Sequence, residues 1–312
     1  MPEISPRYWV MVAALGFTWG GTFLMVELAL RGMTPFWLAA GRISFASLLL
    51  TAVWASRGFK LFEGARSWPV VILVGVLSSA LPFILISWGL QHVTSGFAGV
   101  AMAAIPLMVL PLSHVFIPGE RMGPRRMIGF TIGFIGVVIL IGGQAFASSG
   151  AQLELLGQLA CVSAALCYAG SSIMVRRLPT VDPVGLATVL LLVGAVVILP
   201  AAYLVEGVPV MPDNETLFWL AVLGLIPTAA ANLLRVLVIR GAGPVFMSLT
   251  NYQVPVWAVV LGAVFLAEPL PGSLLWALTL ILIGVGLSQT RALGMLFGKR
   301  RDGARGAKAP HP

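Results

Sequence analysis

Charge is what this sequence has least of. Asp, Glu, Lys and Arg supply 10% of the residues and hydrophobic types 59%, where a soluble domain carries roughly 25% and about 45–50%. That shortage excludes a water-soluble globule of 312 residues, because the polar surface needed to cover it does not exist. Cysteine is nearly missing as well. Cys161 and Cys167 sit six residues apart in one apolar run, about 240° around a helix, which excludes a disulfide between them. Carboxylates are absent from the middle of every apolar run, since all eleven Asp and Glu fall in joints, ends or tails. A proton relay through a buried midplane acid therefore has no residue to rest on. His92 and His114 lie near run ends without Cys or carboxylate company, so no metal or other cofactor is expected. The net charge of +8 is not interleaved with exposed aromatics, which argues against a nucleic-acid partner.

What the chain does have is long apolar runs. A helix needs about 20 mostly apolar residues to cross the hydrocarbon core. Ten runs qualify, at 7–27, 36–55, 68–90, 94–116, 125–142, 155–175, 184–205, 216–239, 244–266 and 272–290. Gly and Pro punctuate the joints, as at Gly32 to Pro35, Gly119 with Pro124 and Pro269 to Gly272. The first run is too long for the core of a signal peptide and has no small-x-small cleavage site, so it is expected to stay as a first helix. The expected fold class is all-α, a membrane protein of ten transmembrane helices with the lipid bilayer as its solvent.

The basic residues orient these spans. Sixteen of the 19 Lys and Arg fall in the amino-terminal segment, in the joints after spans 2, 4, 6 and 8, and in the tail, from Arg7 to Lys308. Only Arg31 lies on the opposite side, while Arg42 and Arg235 are inside spans. The positive-inside rule then places both termini in the cytoplasm and the chain in the cell inner (plasma) membrane.

An internal repeat with an offset of 149 residues organises the whole. Trp19 to Val26 matches Tyr168 to Val175, Gly75 matches Gly224, and Pro106 matches Pro255. After a one-residue gap Glu120 matches Glu268, and Ile135-Gly136-Val137 matches Ile283-Gly284-Val285. Five spans per half is an odd number, so the two halves must enter the membrane in opposite directions. The basic joints follow spans 2 and 4 in the first half but the first and third spans of the second, as inversion requires. The expected domains are a five-helix repeat over 1–143, its inverted copy over 144–290, and a basic, disordered cytoplasmic tail over 291–312. Inverted repeats allow one shared pocket to open to either side.

Trp19-Gly20, Ala39-Ala40-Gly41-Arg42, and the spacing Pro106 to Glu120 repeated as Pro255 to Glu268, each followed by a Gly-rich helix, resemble the drug/metabolite transporter superfamily. More narrowly they are similar to its EamA-type ten-helix members, over residues 8 to 290. The resemblance implies a secondary carrier, often an exporter of amino acids or related metabolites. The second half departs from the pattern where Leu190 stands near the position matching Arg42, so any role of that Arg is asymmetric between the halves.

Polar groups inside spans are the candidates for substrate contact. Arg42 and Arg235 either snorkel to their nearer interface or line a cavity and attract a substrate carboxylate. Asn232, Asn251 and Gln253 either bond between helices or contact substrate, and Trp257 lies close to the last two. Ser79, with Ser78, either faces substrate or bonds back to its own helix. Trp19 and Phe83, with Trp88 and Phe97, are candidates for an aromatic wall. Pro82, Pro106, Pro227 and Pro255 remove backbone donors in spans 3, 4, 8 and 9, where hinges are expected. Gly129, Gly133 and Gly136, and Gly284 with Gly286, suit close helix packing, as scaffold or in a homodimer. Glu120 and Glu268 are expected to cap the last helix of each half.

These features point to a transporter of small metabolites, amino-acid-like or amphipathic, working by alternating access. The competing readings are a carrier of nucleotide sugars or lipid-linked substrates, and a membrane-embedded lipid-modifying enzyme. No catalytic acid–base set is apparent for the enzyme.

Overall fold

Prolines and side-chain caps decide where the helices begin. The computed structural model describes residues 5–61, 67–145, 152–178 and 182–290, and the tail from 291, expected to be disordered, lies outside them. The helices are α1 (Pro6–Leu30), α2 (Pro35–Ala55), α3 (Trp68–Gly89), α4 (Ser95–Phe116), α5 (Pro124–Ala145), α6 (Gln152–Val175), α7 (Pro183–Glu206), α8 (Asn214–Ala242), α9 (Thr250–Phe265) and α10 (Gly272–Ser288). Pro35, Pro124 and Pro183 open α2, α5 and α7, where the missing N–H would have no helical acceptor anyway. Asp182 accepts from the Gly185 N–H at 2.8 Å to cap α7, and Asp213 from the Thr216 N–H at 2.8 Å to cap α8. Thr216 donors hold the Asp213 carboxyl below its ordinary range. Gly207 and Gly243, with φ of 75° and 88°, end α7 and α8 in a conformation that side chains resist.

Eight of these helices are long and apolar enough to cross a membrane. The last two, α9 and α10, are apolar but have 16 and 17 residues, and a four-residue helical turn, Pro244–Met247, precedes α9. No strand occurs among the described residues. Large apolar side chains stand on the outside throughout, including Val115, Val196, Leu204 and Val264, as expected where lipid replaces water. The chain is a multi-pass membrane protein.

Equivalent helices of the two halves pair antiparallel, and the registers show it. Along α5, Gly129 meets Ser288 and Gly284, Gly133 meets Gly284, and Gly136 meets Ile281 and Ala277 of α10. The partner number falls as the first rises. On α2 and α7, Trp37 meets Glu206, Leu50 meets Thr188 and Trp54 approaches Gly185. On α4 and α9, Gly96 meets Val259 and Gly99 meets Ala258. The two repeats are therefore inverted copies. Gly129, Gly136 and Gly284 lie in the seam between α5 and α10 within one chain and serve as scaffold, whereas nothing lies within 4 Å of a Cβ on Gly286.

Glu268 corrects an expectation. Instead of capping its own α10, its carboxylate accepts from the N–H groups of Ser95 and Gly96 at 2.7 and 3.0 Å, capping α4 of the other half. Orphan amides at a helix start are the natural site for a carboxylate, and antiparallel pairing brings the end of α9 there. Glu206 does the same for α2, taking Thr34 Oγ1 at 2.5 Å and the Phe36 and Trp37 N–H groups at 3.2 Å. Glu120 does not cap α5 either; it pairs with Arg176 at 3.0 Å. Arg57 and Arg240 flank Asp182 at 3.1 and 3.8 Å on the same basic end.

The α-helical pattern of the spans is interrupted at four places. α1 has a turn at Gly21 and α4 one at Ala104, just before Pro106. α3 carries a π-helical segment at Val76–Ala80, which Pro82 follows, and α8 one at Gly224–Ala230 around Pro227. Pro255 lies inside α9, six residues from a turn at Ser248 and Leu249.

The α5–α10 seam makes a direct prediction. A Cβ on Gly284 would stand 2.6 Å from the Gly133 nitrogen, whereas nothing lies within 4 Å of one on Gly286. Gly284→Val should cost roughly 1–3 kcal/mol by overpacking and lower the thermal midpoint of detergent-solubilised protein by several degrees. Gly286→Val should leave it nearly unchanged, and equal midpoints for the two variants would contradict the seam.

Candidate functional site

The two π segments occupy equivalent positions in the two halves, and each packs on the second helix of the opposite half. Gly75, at the start of one, lies against Val193 and Leu190 of α7; Gly224, at the start of the other, lies against Phe45 and Arg42 of α2. Four residues on, each half carries a hydroxyl, Ser79 and Thr228, again separated by 149 residues. Ser79 is buried and its one hydroxyl proton lies within reach of both the Gly75 and Leu190 carbonyls, at 2.6 and 3.1 Å. It thus bonds back to its own helix and across to α7.

Thr228 is differently engaged. Its hydroxyl donates to the Leu223 carbonyl at 2.8 Å, five residues back, and accepts from Arg42 Nε at 2.7 Å. The Arg42 guanidinium lies 3.9 Å from the centre of the Phe83 ring, a cation–π contact, and Tyr168 of α6 is near enough to interact with its charge. Trp19 Nε1 donates to the Pro227 carbonyl at 3.1 Å, and Asn232 Nδ2 to the Thr228 carbonyl at 2.5 Å. Carbonyls released by the π turn and Pro227 are thus taken up by side chains. Trp19, Arg42, Phe83 and Asn232, four of the residues singled out in the sequence, come together around the α8 π segment.

Arg235 extends this group. Residues 228, 232 and 235 follow the i, i+4, i+7 spacing of one helix face. The Arg235 side chain is exposed within the apolar α8 span. Among the described residues neither Arg42 nor Arg235 has an acidic partner within 4.0 Å. Arg42 itself is buried, so it does not snorkel to the interface.

Other expected residues lie elsewhere. Gln253 rests on Gly16, and Trp257 on Gly20 and edge-on to Phe17 at 5.2 Å, forming a seam between α1 and α9. Asn251 is exposed on α9. Thr228 and Tyr168 were missed in the sequence; their offset of 149 residues from Ser79 and Trp19 was the available signal. On the face away from the basic joints, a cleft of about 400 Å³ is lined by Glu27, Arg31, His92, Glu154 and Glu268. Glu27 falls inside α1 because that helix continues to Leu30.

A profile of the EamA-like transporter family matches this chain twice, at residues 7–142 and 155–290. Among similar proteins are the uncharacterised transporter YvbV of Bacillus subtilis, 24% identical over 91% of this chain and 92% of its own length, and a probable terminal-alkyne amino-acid exporter of Streptantibioticus cattleyicolor, 26% identical over 94% and 96%. The inner membrane transporter YedA of Escherichia coli is 27% identical over 87% and 89%. A crystal structure shares the fold with a TM-score of 0.66 at 22% identity, covering 92% of this chain and 98% of the other.

Access of water to Arg235 is checked by thiol chemistry. In a background with Cys161 and Cys167 replaced by Ser, Arg235→Cys should react with a water-soluble methanethiosulfonate. Val238→Cys, fully buried, should not. Equal inertness of the two would place position 235 out of reach of water.

Proposed function

The chain belongs to the EamA-like transporter family, and from that premise we propose that it carries a small metabolite with a carboxylate, amino-acid-like or amphipathic, across the plasma membrane by alternating access. Membrane transport is the family's activity; substrate class, mechanism and outward direction are our reading. Both termini lie in the cytoplasm on this reading, because the Lys and Arg of the joints gather on their side.

Arg235 is the observation that carries it. An exposed cation within an apolar span, without an acidic partner among the described residues, is expensive to keep. A carboxylate arriving there would supply the missing partner in a charge-assisted bond. The group around Arg42 supplies a second cation and an aromatic face at the other end of the same helix stripe. Such a pair of ends suits a molecule with an anionic head and an apolar body. Inverted halves supply the movement, since either mouth can open around a fixed site. The exporter name of the Streptantibioticus cattleyicolor relative is in keeping with an amino-acid-like substrate.

Counterflow tests the reading. Proteoliposomes preloaded with unlabelled L-phenylalanine, L-leucine, L-threonine or L-cysteine should accumulate the labelled form of at least one. Arg235→Ala should raise KM for it about tenfold or more, the scale of one lost bond to a charged group. Absence of counterflow for the whole panel in well-folded wild-type protein would contradict the proposed class.

A further inference from the structure

We propose that Thr228 is a positioning residue that aims Arg42, so that the guanidinium meets a substrate carboxylate with both terminal nitrogens; this rests on the carrier reading above. Arginine has five N–H donors in a rigid planar fork. In this structure the single Nε donor is consumed by Thr228 Oγ1 at 2.7 Å. The four donors on Nη1 and Nη2 have no acceptor among the described residues. The ends of the fork are therefore uncommitted while its stem is fixed.

The fixing depends on Pro227. A hydroxyl has one proton to give, and that of Thr228 goes to the Leu223 carbonyl, five residues back. With its proton committed along the helix, the oxygen has only lone pairs to offer across it, and these face α2. In an ordinary α-turn the Leu223 carbonyl would be taken by the backbone N–H four residues on. That residue is Pro227, which has none to give, so the carbonyl is left to the side chain of Thr228. Gly224 allows the approach, since a Cβ there would meet the Phe45 side chain at 2.6 Å and the Arg42 carbonyl at 2.9 Å. Phe83 holds the guanidinium plane from its other side.

The first half provides an internal comparison. Ser79 stands at the equivalent place, but its neighbour on α7 is the Leu190 carbonyl and not a cation. The nearer acceptor for its proton lies four residues back, at Gly75, with Ser78 and not a proline at the place of Pro227, and Ser79 serves as a plain tie between helices. Specificity thus comes from one half alone: the bidentate carboxylate grip is built where α2 offers Arg42. A substrate whose carboxylate is esterified keeps its body and amine but loses the group the fork is aimed at.

The test compares acid and ester in counterflow. For whichever panel amino acid the wild type carries, KM is measured for the free acid and for its methyl ester. Thr228→Val keeps the shape and removes the acceptor; it should raise KM for the acid about tenfold and shift that for the ester less than twofold. Thr228→Ser, which retains the oxygen, should restore the acid toward wild type. Equal losses for acid and ester in Thr228→Val would mean that Thr228 only ties α8 to α2, and unchanged KM for both would mean that Arg42 needs no positioning; either result overturns the proposal while the carrier stands. Failure of the wild type to carry any panel member would overturn both.

Discussion

A hydrocarbon solvent gives no hydrogen bonds, and the organisation of this protein follows from that refusal. Each helix start, each carbonyl released by a proline and each cation has to find a partner in the chain. At helix ends the partner comes from the antiparallel neighbour, as when Glu268 of one half closes the start of α4 in the other. Within the spans it comes from side chains, as when Trp19 takes the Pro227 carbonyl. Where every demand is met, the structure is scaffold. Arg235 and the outer fork of Arg42 are the conspicuous places where it is not met, and the functional reading begins there.

Inversion makes this economical. One five-helix unit, used twice head to tail, sets α5 against α10, α2 against α7 and α4 against α9 in antiparallel register. Glycines then let backbones approach where no water drives association. The α5–α10 seam is closely packed, with glycine on both sides. The interruptions of the α-helical pattern lie in other helices: α1, α3, α4 and α8. On the carrier reading proposed above, movement is expected there and not at the seam.

Much of this was legible in the residues. Apolar runs, the repeat of 149 residues and the oppositely placed basic joints lead to inverted halves without coordinates. The placement of Trp19, Arg42, Phe83 and Asn232 around one point could be anticipated only as a set of costly or aromatic groups in spans. Their common neighbour could not, because the π register of α8 is a tertiary outcome and Thr228 looks like any span threonine. Gln253 and Trp257 were grouped with them through nearness to Pro255, but a proline reports a bend and not the direction a neighbour faces. They pack on Gly16 and Gly20 because those glycines let α9 approach α1. Glu268 was given to the nearest helix in sequence, whereas the nearest orphan amides in space belonged to α4.

The central claim is that two mouths open in turn around the α8 stripe. Spin-label pairs at Gln91 with Leu270, on the face of the Glu268 clamp, and at Arg121 with Arg240, on the basic face, measure each mouth in reconstituted protein. Each pair should give two distances, and adding transported substrate should shift their populations in opposite senses at the two faces. A single, substrate-independent distance at both mouths would contradict it.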